Sequence, residues 1–180
     1  MITIGFIGAP GTGKSTLAYG LVYGLKKNGY EVELVPELIK QRVMNGLSND
    51  DPDVNVLNGI QQKNLELQYR RLPLDFLVCE TTLINPLMYG EYYRAQQYQI
   101  DYLKVLVMEL QYDVIYRVVF RPNHVYHTFG RCESEKQAKE IDALAKVYLS
   151  KYHKNHVYEI TSDAPLETMI AEVVKFRRLL

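Results

Sequence analysis

Tryptophan is absent from this 180-residue chain, and cysteine occurs only twice, at 79 and 132. Two cysteines cannot form a disulfide framework, so the small stapled domains of secreted proteins are excluded and a reducing interior is the simpler compartment. Net charge is missing too, since 21 Lys and Arg offset 21 Asp and Glu. A protein that grips nucleic acid chiefly by its phosphates needs an excess of cations. That class is disfavoured, although a local basic groove stays compatible. No apolar run approaches the ~20 residues that span a bilayer. The first one, Met1 to Ile7, is short and leads into a glycine loop. It lacks the basic start, longer apolar stretch and cleavage site of a signal peptide. These absences predict a soluble, cytoplasmic protein.

What is present is the composition of an ordinary globular domain, 47% apolar and 23% charged, at a length that fills one core. Residues 1–180 are read as a single domain. Ile2 to Ile7 reads as a buried strand, and 14–28 then switches to helical period. Leu17, Ala18, Leu21, Val22 and Leu25 share one face there, and Asn28-Gly29 stops the helix. Glu31 to Val35 is a second strand, cut by Pro36. Residues 37–46 read as helix, 48–53 as a polar loop and 54–71 as helix. Asp75 to Glu80 is a third strand. Residues 86–97 and 99–111 read as two helices, and Asp113 to Phe120 as a fourth strand. Residues 121–133 have no clean period.

Ser134 and Gln137 match a capping box for the next helix. Its inner face is Ala138, Ile141, Ala145, Tyr148 and Tyr152. Val157 to Ile160 is a fifth strand. Ser162-Asp163 then caps a last helix carrying Leu166, Met169, Ile170, Val173 and Val174 inward. Apolar strands alternating with helices predict an α/β fold, a mostly parallel sheet covered on both faces.

The strongest motif is Gly8-Ala9-Pro10-Gly11-Thr12-Gly13-Lys14-Ser15, followed by Thr16. It fits G-x-x-x-x-G-K-[ST] at every fixed position, between a predicted strand and a predicted helix. Glycines let the backbone curl so that successive N–H groups face phosphate oxygens. The helix adds its positive N-terminus. Lys14 is placed to bridge the β- and γ-phosphates, and Ser15 to set a hydroxyl on Mg²⁺. A nucleoside triphosphate with Mg²⁺, ATP in the first instance, is the implied ligand.

The guanine-reading N-K-x-D and the switch element D-x-x-G are both missing, which sets a GTPase aside. AAA-type ATPases usually carry Asp-Glu where this chain has Cys79-Glu80, and a helical lid domain for which 180 residues leave no room. A compact small-substrate kinase remains.

The P-loop together with Val35-Pro36-Glu37, Val78-Cys79-Glu80-Thr81-Thr82 and Tyr89-Gly90-Glu91-Tyr92-Tyr93 resembles the ribosylnicotinamide (nicotinamide riboside) kinase-like P-loop family over nearly the whole chain. The resemblance implies a three-layer α/β/α sandwich with a five-stranded parallel sheet in the order 2-3-1-4-5. It also implies phosphorylation of nucleosides or nucleotides. The family usually has Asp where this chain has Glu80; a carboxylate is kept.

Glu37 follows the second strand, and strand C-termini in a parallel sheet face the ligand crevice. Its carboxylate can accept a proton from a substrate hydroxyl, or simply stabilise a helix N-terminus. Glu80 ends the third strand, where it can hold Mg²⁺ or act as the base. Either carboxylate qualifies as that base. Residues 121–133 are read as a lid, in which a closing arginine stabilises the spread charge of the transferred phosphoryl group. Arg131, behind Gly130, is the first choice and Arg121 the second.

Histidines form two H-x-x-H pairs, His124/His127 and His153/His156. Zinc spacing is met, but no second Cys is near, and loop or nucleotide-contact roles fit better. Tyr89, Tyr92 and Tyr93 either wall an acceptor pocket or pack the core. Gln61 and Gln62 fit a solvated surface better than a base edge. A hydroxymethylated pyrimidine in DNA is an alternative acceptor. A nucleotide-binding module that switches a partner by slow ATP hydrolysis is the alternative from another class.

Overall fold

The computed structural model describes residues 1–39, 45, 52–123, 125–127, 131–153 and 156–179. The strands are β1 (Ile2–Ile7), β2 (Val32–Val35), β3 (Phe76–Cys79), β4 (Val114–Val119) and β5 (Val157–Thr161). The helices are α1 (Lys14–Lys27), α2 (Pro52–Tyr69), α3 (Ile84–Tyr92), α4 (Gln97–Glu109), α5 (Glu135–Tyr152) and α6 (Leu166–Arg178). All strands pair in parallel in the order β2-β3-β1-β4-β5, as the resemblance implies. β1 is central and every one of its residues is buried, which is why its sequence is a continuous apolar run and not an alternation. No helix among the described residues is long and apolar enough to cross a membrane.

Two apolar layers sandwich the sheet. On one face Ile2, Ile4 and Phe6 of β1 meet Leu17, Leu21 and Leu25 of α1 and Met169 and Val173 of α6. On the other, Ile7, Leu77, Cys79 and Ile115 meet α3, α4 and α5, with Val56 and Ile60 of α2 packed alongside. α1 buries Leu17, Ala18, Leu21 and Leu25 as its period predicts, while Val22 is only half-buried. Asn28 closes the helix, its side-chain amide donating to the Gly24 carbonyl at 2.8 Å.

Several expected boundaries shift. The Ser134–Gln137 capping box forms: the Gln137 N–H donates to Ser134 Oγ at 3.4 Å, and the Ser134 N–H to Gln137 Oε1 at 2.9 Å. Along α5 the inner face is Ala138, Ile141, Ala145, Tyr148 and Leu149, with Tyr152 half-buried. Ser162-Asp163 does not cap α6. That helix starts at Leu166 behind Pro165, whose extended conformation ends the turn after β5. Asp163 accepts the Thr161 hydroxyl at 2.6 Å and so closes that turn instead. α3 and α4 each begin two residues earlier than their periods suggest. At α4 the Gln96 N–H donates to Gln99 Oε1 at 2.8 Å, a reciprocal cap made by glutamine where serine is the usual signal. Beyond Ile39 the helix expected over 37–46, and the 48–53 loop before Pro52, lie outside the described residues except Asn45.

Candidate active site

The loop between β1 and α1 has the backbone that the motif requires. Gly11 and Gly13 take φ of 89° and 97°, a region open to glycine and strained for other residues. A Cβ on Gly13 would stand 2.4 Å from Ser162 Cβ, so the loop also abuts the turn after β5. Lys14 is buried, and its ammonium donates to the carbonyls of Gly8 at 2.9 Å and Ala9 at 3.2 Å. The lysine is thereby folded onto the loop, next to where phosphate oxygens would be received. Thr12 is buried and donates its hydroxyl to Ala9 O at 3.0 Å. Ser15 is half-buried and Thr16 exposed.

Glu80 leaves the end of β3 and stays buried, 3% exposed. It is carried there because β3 lies beside β1, with Cys79 opposite Gly5. Its two oxygens are both engaged. Ser15 Oγ donates to Oε1, and the backbone N–H of Glu37 donates to Oε2 at 3.1 Å. The Glu80 N–H in turn donates to Val35 O at 2.9 Å. One carboxylate therefore joins the phosphate loop, the end of β2 and the end of β3. The structure brings Lys14, Ser15, Glu37 and Glu80 together at the C-terminal edge of the sheet, where α/β crevices open.

Arg131 joins them from the segment before α5. Its guanidinium lies over the Tyr126 ring, 5.1 Å from the centroid, and donates to His127 O. A Cβ on Gly11 would meet Arg131 Nη1 at 2.9 Å, so this arginine already rests against the loop. Arg121 is exposed, and its charge acts on Asp163 in the turn after β5. The Asp163 carboxyl is held below its ordinary range by the Thr161 hydroxyl first, with Arg121 a lesser contributor.

The segment 121–133 is less bare than its irregular sequence suggests. Glu133 is buried; its carbonyl accepts the Tyr126 hydroxyl at 2.9 Å and its carboxylate the Tyr93 hydroxyl at 3.1 Å. Tyr89 is buried between these groups. Burial pushes its phenol well up, helped by the negative charges of Glu133 and Glu37. Tyr89 and Tyr93 stack with centroids 6.3 Å apart, and Tyr92 donates to Glu140 at 2.8 Å. The tyrosines thus pack the core, and Tyr89 lies within reach of the Glu37 charge. His124 and Gly130 lie outside the described residues. His127 is exposed, His153 borders a cavity under α5, and the His156 ring meets Phe176 edge-on.

Gln61 is exposed, as expected, but Gln62 is not: it is 2% exposed, which corrects its assignment to a solvated surface. Asn55, Asn58, Gln62 and Glu66 all turn the same way from α2 into the protein and are buried. Among the described residues Asn58 Nδ2 and Oδ1, Gln62 Oε1, Thr81 Oγ1 and Asn85 Nδ2 have no hydrogen-bond partner. Buried polar atoms without partners are rare and call for an explanation. Thr81 directly follows Glu80, so this polar face adjoins the carboxylate. The spacing of 55, 58, 62 and 66 is helical, but polarity at that spacing ordinarily marks the solvent side.

Residues 3–166 match a family model described as an AAA domain. The matched span runs from β1 through β5, the P-loop sheet and its helices. No curated protein matches the chain significantly. Among solved structures, NadR protein in complex with NAD and AMP-PNP aligns with a TM-score of 0.75 at 14% identity, over 98% of this chain and 49% of that one. NadR protein in complex with NR gives 0.77 at 13% identity, over 98% and 50%. Deoxyadenosine kinase from M. mycoides, with dCMP and dCDP bound, gives 0.60 at 14% identity over 99% and 100%. The chain thus spans about half the length of the NadR structures. At these identities the likeness is one of fold. The family match over most of the chain and a sheet that follows the P-loop kinase order together place this protein in the AAA domain family of P-loop proteins.

Proposed function

We propose that the chain is an ATP-dependent kinase. It transfers the γ-phosphoryl group of ATP to a hydroxyl or phosphate of a nucleoside, nucleotide or related small molecule. The observation that carries this reading is the Glu80 carboxylate, bonded to Ser15 of the phosphate loop and to the Glu37 N–H. A carboxylate so placed can hold Mg²⁺ beside the nucleotide phosphates and next to Glu37.

Mg²⁺ fits these residues. The Ser15 hydroxyl and the Glu80 carboxylate are hard oxygen donors that already face each other. Mg²⁺ takes one or two protein oxygens beside phosphates and water, and so needs no dedicated cage. None of the described residues form a group of three or more His, Cys, Asp or Glu able to hold a metal. Bound as Mg·ATP, the nucleotide supplies the phosphoryl group and an electrophilic phosphorus. The loop N–H groups and Lys14 hold its phosphate charge, Lys14 exchanging its carbonyl bonds for phosphate oxygens. Glu80, with both oxygens committed, stays on the metal side. Glu37, which follows β2 beside Glu80, serves as the base that orients the acceptor hydroxyl and takes its proton. Arg131, already against Gly11, stabilises charge on the transferring group, and 121–133 acts as the lid that excludes water. Arg121 is a secondary candidate for the same task. The partnerless atoms Asn58 Nδ2 and Oδ1, Gln62 Oε1 and Asn85 Nδ2 support a hydrogen-bonding acceptor. Nucleotide complexes of NadR and of deoxyadenosine kinase support the ligand class.

The test is an acceptor screen with labelled ATP over free nucleosides, monophosphates, nicotinamide riboside and DNA bearing hydroxymethylated pyrimidines. A kinase consumes ATP quickly only with its acceptor present. The AAA domain match favours a second reading, a nucleotide-driven switch on a partner. Slow ATP hydrolysis unchanged by every acceptor would select it.

A further inference from the structure

Behind Glu80 lies a buried polar chain whose hydrogen bonds, among the described residues, run through Glu66, Gln62, Tyr112 and Leu83 and not to the phosphate loop or Arg131. Glu66 of α2 is 0% exposed. Its Oε1 accepts the Tyr112 hydroxyl at 2.9 Å and the Gln62 amide at 3.0 Å. The Tyr112 oxygen accepts the backbone N–H of Leu83 at 3.0 Å. Leu83 is the residue before α3, and no side chain caps that helix. Tyr112 reaches this point because β1 has no side chain at Gly5. A Cβ there would stand 2.6 Å from Thr82 Cγ2 and 3.0 Å from Tyr112 Cδ1. The ring and the turn after β3 thus lie together on the middle of the sheet.

The chemistry of a phenol explains the order of the chain. Tyrosine has one proton to give and lone pairs to accept. With its proton committed to Glu66, its oxygen is aimed as an acceptor at Leu83. A buried carboxylate is costly unless it does something that an apolar residue cannot. Here it fixes which way the phenol points.

We propose that Glu66 and Tyr112 are positioning residues for the turn Glu80–Leu83, holding the Glu80 carboxylate in register with Ser15 and Glu37. The inference rests on the reading of Glu80 given above. Neither residue touches nucleotide or metal; each acts through the Leu83 N–H and the three peptide units between it and Glu80.

The test uses the full chain and four variants: Tyr112→Phe, which keeps the ring, Glu66→Gln, which keeps an acceptor oxygen, Glu66→Leu, which removes it, and Lys14→Ala as a control. Two quantities are read: amide hydrogen exchange at Leu83 without ligand, and calorimetric binding of AMP-PNP across a Mg²⁺ titration. In Tyr112→Phe, Leu83 exchange rises roughly fivefold or more, as for one lost buried hydrogen bond. The Mg²⁺ needed for half-maximal AMP-PNP binding rises about tenfold, as when a group orienting a metal ligand is removed. Metal-free AMP-PNP binding stays as in the wild type. Glu66→Leu reproduces both changes, and Glu66→Gln restores wild-type behaviour, which a loss of packing alone would not do.

Unchanged Leu83 exchange in Tyr112→Phe overturns the relay. Faster exchange with a wild-type Mg²⁺ requirement overturns its reach to Glu80. If Lys14→Ala loses AMP-PNP while the relay variants are silent, the nucleotide site stands and the relay falls. A wild-type chain that binds no AMP-PNP overturns both.

Discussion

The two faces of the sheet are built from different materials. Where α1 and α6 cover it, the interior is Ile2, Ile4, Phe6, Leu17, Leu21, Leu25, Met169 and Val173. Where α2 to α5 cover it, the apolar residues are interleaved with buried Asn58, Gln62, Glu66, Thr82, Asn85 and Arg117. Buried side-chain atoms without a hydrogen bond among the described residues include Asn58 Nδ2 and Oδ1, Gln62 Oε1, Glu66 Oε2, Arg70 Nε, Asn85 Nδ2, Arg117 Nε and Asp142 Oδ1 of that side. An unsatisfied buried polar atom costs about 1–3 kcal/mol. One face is therefore spent on holding the fold and the other on presenting chemistry, and substitutions on the two should fail in different ways.

The largest effect is expected on the apolar face. Phe6 is fully buried and packs on Tyr116 with ring centroids 5.5 Å apart. Phe6→Ala should cost about 3–5 kcal/mol, read as a fall in the denaturation midpoint, with nucleotide affinity of the remaining folded protein unchanged. A stable Phe6→Ala protein with weakened nucleotide binding would break the division between faces.

Next comes a pH dependence confined to the polar face. Burial raises the Glu66 carboxyl from 4.5 to about 7, only partly offset by the Gln62 amide, the Tyr112 hydroxyl, the Arg70 charge and the Cys79 thiol. The Arg70 guanidinium stands 3.9 Å away, too far to reverse the effect of burial. Because the folded value lies above the unfolded one, the proton taken up on folding stabilises the native state fully below pH 4.5. That stability is lost as pH rises through about 7. The difference amounts to about 3 kcal/mol. Asp142 is also raised by burial and acts in the same sense. Unfolding free energies at pH 5 and pH 8 should therefore diverge in the wild type, and much less in Glu66→Gln. Equal pH slopes in the two proteins would contradict the assignment.

At the edge where both faces meet the phosphate loop, Lys14→Ala and Arg131→Ala should each lower acceptor-dependent turnover at least about a hundredfold, as for one lost preorganised charge. Thermal stability should barely move. A pre-steady-state measurement separates them: Lys14→Ala weakens nucleotide capture, whereas Arg131→Ala slows the transfer step. If both weaken capture equally, Arg131 is part of the nucleotide site and not of the lid.

The smallest effect has the opposite sign. Asn58→Leu removes two partnerless polar atoms and should leave stability unchanged or raise it by up to about 1 kcal/mol, while acceptor turnover declines. A clear loss of stability would mean that Asn58 supports the fold.

How much of this was legible beforehand differs between the same two faces. The apolar face follows from period alone: Leu17, Leu21 and Leu25 point inward because nothing polar competes at that spacing. The phosphate loop and the two carboxylates at strand ends were legible because their motif and position need no knowledge of packing. Gln62 and Glu66 were not. Their spacing on α2 is helical, but polarity at helical spacing signals water, and only the fold shows that this stripe faces inward. Glu133 was hidden for a related reason, because its burial depends on Tyr93 and Tyr126 arriving from separate segments. Pro165 overrode Ser162-Asp163 at the start of α6 because Asp163 was already engaged by Thr161.

The sheet order also bears on how the chain is made. β1 pairs with β3 at Ile2–Phe76 and with β4 at Ile4–Val114. Of these strands β1 is translated first, yet its partners follow 74 and 110 residues later, from 76 − 2 and 114 − 4. At about 5–20 residues per second, the gap to β4 lasts roughly 6–20 s. For that time Ile2–Ile7, buried at every residue in the finished sheet, lacks one or both of its neighbours. The nascent chain therefore offers an apolar β-forming segment to any holdase at the ribosome, and the rate of synthesis through β4 sets how long that exposure lasts.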